Sequence, residues 1–148
     1  MANSNPLAIV SLCLSVLTAS FSAYQWSRGE QERKINAAVD ISNNYVNNRE
    51  LASQLVSLAK IGDPNQNISE QQTYDSFHVV YRMQYIAYLI DRGLIDDDYV
   101  VQSLKCDMTL ASAMVSPLAK RVNSQPLPTV ELQKVAARYM PLCISRGG

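Results

Sequence analysis

The chain has 148 residues, with 13 Lys and Arg balanced by 13 Asp and Glu, and 47% of its residues are hydrophobic. That composition suits one modest core and lacks the basic density and aromatic interleaving of a nucleic-acid surface. Three cysteines without a CxxC pair give no metal-ligand spacing and read as reduced, buried thiols.

The first element is an apolar run from Leu7 to Tyr24 with no charged residue. As a helix its eighteen residues rise roughly 27 Å, close to the about 30 Å of a hydrocarbon core. The stretch before it has no Lys or Arg, unlike the basic start of a cleaved signal, although Ser20 and Ser22 supply small residues for cleavage. A retained transmembrane helix is the expectation, with Tyr24, Trp26 and Arg28 as membrane-interface anchors. Arg28, Arg33 and Lys34 follow the run, so the positive-inside rule puts the N-terminus outside and the remainder in the cytoplasm, at an inner membrane. The domain division is then residues 1–27 as anchor and 28–148 as a cytoplasmic helical domain.

On a helical wheel the run has two faces. Ala8, Ser11, Ser15, Thr18, Ala19 and Ser22 share a small, hydroxyl-rich stripe suited to close packing against another transmembrane helix. Leu7, Val10, Leu14, Leu17 and Phe21 occupy a separate sector. Membrane lipid and a second span, from another copy or a foreign subunit, are the expected partners.

Residues 30–60 carry apolar positions at Ile35, Val39, Tyr45, Val46, Leu51, Leu55 and Leu58, with Asn47 and Glu50 spaced as a capping box. Gly62-Asp63-Pro64 ends that segment, and Ser69 with Gln72 opens the next helix, which stops at Gly93. In this helix Tyr74, Phe77, Tyr81, Tyr85 and Tyr88 lie on one side and Val79, Val80, Met83, Ile86, Ala87 and Ile90 on the other. Two apolar faces predict a helix sandwiched between neighbours. Asp96 is placed to cap a helix with Val101, Leu104, Met108, Ala111, Val115 and Leu118 on one face, bent or ended at Pro117. Thr129 caps the last helix, with Leu132, Val135, Ala136, Tyr139 and Cys143 inward. The fold class is all-α, one N-terminal transmembrane helix followed by a small bundle of about four helices.

No catalytic motif, cofactor loop or metal-ligand set occurs, so neither an enzyme nor a cofactor is expected. Asp63 to Ser69 imitates the start of a calcium loop but has Ile68 and Tyr74 where Gly and Glu are needed, and reads as an Asx-rich turn. Asp96, Asp97 and Asp98 read as a cap at a helix start. A partner or ligand surface is expected at Asp75, His78, Tyr81, Arg82 and Tyr85, which share a helical flank. Residues 28–98 carry seven basic and eleven acidic groups, and residues 99–148 six and two, so the two parts are set to attract.

The stretch from Tyr74 to Asp98, ending in Arg92-Gly93-Leu94-Ile95-Asp96, resembles a group of uncharacterised bacterial single-span membrane proteins. The resemblance implies a tethered cytoplasmic helical domain of unknown role and supplies no catalytic residues. The function expected is a membrane-anchored tether or accessory interaction subunit. The alternatives are a phage- or toxin-type membrane-perturbing protein and a ligand-sensing tethered domain.

Overall fold

A computed structural model describes residues 6–122 and 128–144, with side chains from Ser15 onward. Among them are five α-helices: α1 (Pro6–Val46), α2 (Arg49–Ile61), α3 (Glu70–Asp91), α4 (Gln102–Arg121) and α5 (Val130–Ile144). A 3-10 turn, Asp97–Tyr99, precedes α4.

The local signals explain most boundaries. Ser69 accepts the Gln72 N–H and the Gln72 side chain accepts the Ser69 N–H, a complete capping box. Gly93 takes φ 63°, and the Leu94 N–H returns to the Leu89 carbonyl at 2.9 Å, closing α3 with a left-handed residue. The break after α1 comes one residue later than expected: Asn48, not Asn47, caps α2 by accepting the Leu51 N–H at 2.9 Å. Asp96 caps the 3-10 turn rather than α4, whose start at Val101 has no side-chain cap. Pro117 sits inside α4 without ending it.

Helix α3 contacts α2, α4 and α5. Its buried face is Ser76, Val79, Val80, Met83, Ile86, Ala87 and Ile90, which meets Leu58 and Ile61 of α2, Leu104, Met108 and Leu118 of α4, and Leu132 and Val135 of α5 in one core. The expected sandwich does not form. Tyr74, Tyr81, Tyr85 and Tyr88 are exposed, because all three neighbours lie on the aliphatic side.

Helix α1 joins this bundle only by its C-terminal third. Ala38 and Ser42 are buried there. The Ser42 hydroxyl accepts the Val101 N–H at 3.1 Å, and the Lys34 carbonyl accepts the Asp96 N–H at 3.3 Å. The Tyr45 hydroxyl donates to Asp107, whose carboxyl is pushed up by burial. From Ser15 to Arg28 every residue is exposed.

No helix is long and apolar enough, among the described residues, to cross a membrane. This overturns the expected transmembrane helix, with its membrane, single-pass and signal-anchor readings. In residues 15–24 the hydroxyls of Ser15, Thr18, Ser20 and Ser22 interrupt Val16, Leu17 and Phe21, and the stretch rises only about 15 Å. Ser20 Oγ donates to the Val16 carbonyl at 2.8 Å, so one such hydroxyl is satisfied within its own helix. Thr18, Ala19 and Ser22 of the small-residue stripe are exposed, while Ala8 and Ser11 lie outside the described side chains. Tyr24 and Trp26 are exposed, and Arg28 pairs with Glu32 at 3.4 Å.

Cys106 and Cys143 are joined in a disulfide across α4 and α5, with Cα atoms 5.5 Å apart. This corrects the expectation of reduced thiols: 37 residues of separation hide a pair that only the packing of α4 on α5 creates. Removing the bridge with Cys143→Ser is expected to lower the unfolding free energy by about 3–4 kcal/mol, from the loop-closure term. Denaturant melts of the oxidised protein and the variant check this; coincident curves would show that the bridge constrains nothing.

Candidate functional site

The side chains left over after core formation concentrate on the outer face of α3. Its exposed tyrosines follow the spacing of one helical face. The two ends of the row are occupied. Tyr74 packs edge-on against His78, with centroids 4.4 Å apart, and Arg92 lies over the Tyr88 ring at 5.5 Å. Tyr81 and Tyr85 in the middle are 52% and 63% exposed and have no hydrogen bond or ring contact among the described residues.

Arg82, beside them, lines two clefts. One, about 190 Å³, is lined by Ile41, Tyr45 and Leu51 with Arg82, Tyr85 and Ile86, and is predominantly apolar. The other, about 370 Å³, is lined by Glu50, Gln54, His78, Tyr81 and Arg82, and is polar. The clefts arise because α1 stops at Val46 and α2 restarts at Arg49, which leaves the corner above α3 unfilled. Arg82 makes no hydrogen bond or ion pair among the described residues. Gln54 already holds Glu50, donating to it at 3.1 Å.

Of the residues singled out by sequence, His78, Tyr81 and Arg82 come together in the polar cleft, and Tyr85 lines the apolar one. Asp75 does not line either; it accepts a hydrogen bond from Gln71 at 2.8 Å. Sequence reasoning missed Ile41, Tyr45, Glu50, Leu51 and Gln54. The two-residue break at Asn47-Asn48, which folds α2 back over α3, was the signal that could have found them.

Two other polar clusters are structural. Arg121 donates to the Ile61 carbonyl at 3.2 Å and to the Asp63 carbonyl at 2.5 Å, and Asp63 accepts the Asn65 N–H at 2.9 Å, so the calcium-like loop is an Asx turn held by α4. The carboxylates of Asp96, Asp97 and Asp98 lie within 4.8 Å of one another. Asp96 accepts the Asp98 N–H at 3.1 Å, and Asp97 accepts the Tyr139 hydroxyl at 2.9 Å with Arg138 at 3.9 Å. These bonds fasten the 3-10 turn to α5.

No family model, curated protein or solved structure matches the chain.

Burial, and then the hydrogen bond to Asp97, raise the Tyr139 hydroxyl well above the ordinary phenol range. Its folded pKa exceeds the unfolded one, so its contribution to stability is complete below about pH 10 and declines as pH rises further. Asp91 acts oppositely: the hydrogen bond from Lys134 lowers its carboxyl, and that contribution fades as pH falls through the acid range below 3.8. Tyr139→Phe is expected to flatten the alkaline loss of stability while costing about 1 kcal/mol at neutral pH. Denaturant midpoints between pH 7 and 11 check it; an alkaline limb as steep as that of the parent would assign the effect elsewhere.

Proposed function

We propose that this protein is a protein-interaction module whose binding surface is the outer face of α3 with the two clefts at Arg82. The observation that carries the reading is that Tyr81 and Tyr85 are exposed and each lines a cleft that Arg82 shares, all three without a hydrogen bond or ion pair among the described residues. Tyrosine and arginine are enriched among residues that dominate interface energetics, since both offer broad contact area and a directional polar group. The apolar cleft has room for one or two apolar side chains, and Arg82 offers a carboxylate a two-pronged partner. The partner that fits is a peptide segment presenting an apolar side chain beside an acidic one.

The test is stoichiometric co-purification from the protein's own cells, comparing the parent with a Tyr81→Ala, Arg82→Ala pair. Both residues are exposed, so thermal stability should stay within about 0.5 kcal/mol, while affinity for the partner falls at least about 30-fold. Equal recovery of the same partner by parent and variant would remove α3 as the surface.

A second proposal concerns the compartment. A disulfide between α4 and α5 favours an oxidising environment, where such bridges persist. The positive-inside argument for a cytoplasmic domain loses its basis with the span. Alkylation of the protein in intact cells, before lysis, is expected to leave Cys106 and Cys143 unmodified, and modification of both would place the domain in a reducing compartment.

A further inference from the structure

The polar cleft holds two opposite charges that do not meet. Glu50 lines it from α2 and Arg82 from α3. The ion pairs among the described residues join Arg28 to Glu32, Lys34 to Glu30, Lys134 to Asp91 and Arg138 to Asp97, and include neither. The one partner of the Glu50 side chain is the neutral amide of Gln54, which donates to a single carboxylate oxygen at 3.1 Å. No Lys lines the cleft, and its one imidazole, His78, packs edge-on against Tyr74. On the other side of Arg82 the apolar cleft is lined by no acidic residue at all.

In the free protein both charges are exposed, and pairing them across water would gain little. A bound segment changes this, because it takes the cleft out of water and a charge left without a partner then costs affinity. A segment with an acidic side chain alone answers Arg82 but brings a like charge beside Glu50, and a segment with a cationic side chain alone does the reverse. A segment carrying both signs leaves neither group unanswered.

The two clefts are also spaced for one short segment. Tyr81 lines the polar cleft and Tyr85 the apolar one, four residues apart on α3, a rise of about 6 Å. That matches side chains four apart on a helix, or two apart on one face of an extended chain.

We propose, resting on the interaction surface inferred above, that the segment bound there is amphoteric. Its apolar side chain enters the cleft beside Leu51 and Tyr85, its carboxylate meets Arg82, and a Lys or Arg side chain enters the polar cleft against Glu50.

The probe is a phage-displayed library of random peptides, selected on the full oxidised chain, with the affinities of enriched peptides read by fluorescence anisotropy. Peptides that lose binding to the Tyr81→Ala, Arg82→Ala pair are expected to share an apolar, an acidic and a basic residue within about five positions. Replacing the peptide's basic residue by Gln should weaken binding to the parent about 5-fold and leave binding to Glu50→Gln unchanged, a coupling that shrinks at high salt. Glu50 is exposed and Gln keeps an acceptor for Gln54, so the variant should melt with the parent. Peptides that need Tyr81 and Arg82 but carry no basic residue overturn the proposal and leave the surface standing. So does a basic residue worth as much on Glu50→Gln as on the parent. Enrichment of no peptide sensitive to the Tyr81, Arg82 pair overturns the surface and the proposal together.

Discussion

The bundle depends on one apolar stripe, Val79, Val80, Met83, Ile86, Ala87 and Ile90 of α3, against which α2, α4 and α5 all pack. Burying six such side chains contributes on the order of 10 kcal/mol before the entropy of ordering is counted, as much as the net stability of a small domain. Because α2, α4 and α5 crowd one side of α3, the other is approached only by α1, whose Ile41 and Tyr45 reach no further than the cleft beside Arg82 and Tyr85. The exposed tyrosines are thus a geometric consequence of how the core is filled.

What could be read from the sequence was whatever is decided within about four residues. The capping box at Ser69 and Gln72 and the left-handed stop at Gly93 are local events, and both stand in the structure. The buried face of α4 was equally plain, since Leu104, Met108, Ala111, Val115 and Leu118 admit a single helical side. The all-helical class follows from these. What failed needed knowledge of neighbours. A wheel shows that Tyr81 and Tyr85 share a face but not whether a helix lies over it. The Cys106–Cys143 bridge and the contacts of Arg121 with the α2–α3 loop join residues far apart in the chain, and no spacing encodes them.

The apolar start of the chain is the most instructive failure. An uncharged run of eighteen residues matches a lipid core in length, but length alone does not make a span. Composition carried the better information: Ser15, Thr18, Ser20 and Ser22 thin the apolar content of the stretch, and the apolar pattern breaks at Arg28 before α1 reaches Ala38 and Ser42, which are buried against protein.

Helix α5 shows how a short element can be secured from outside itself. Its first turn is capped by α3: the Gln84 side chain accepts the Leu132 N–H at 3.0 Å and donates to Glu131 at 2.5 Å. Its last turn is tied to α4 by Cys143. The two fastenings answer to different chemistry, an amide indifferent to electrons and a sulfur bridge that is not. Reduction therefore removes only the sulfur tie: the last turns of α5 stay pinned by the Tyr139 and Arg138 contacts with Asp97 and by the burial of Val135 and Tyr139, so the helix keeps its place while its link to α4 loses its covalent part.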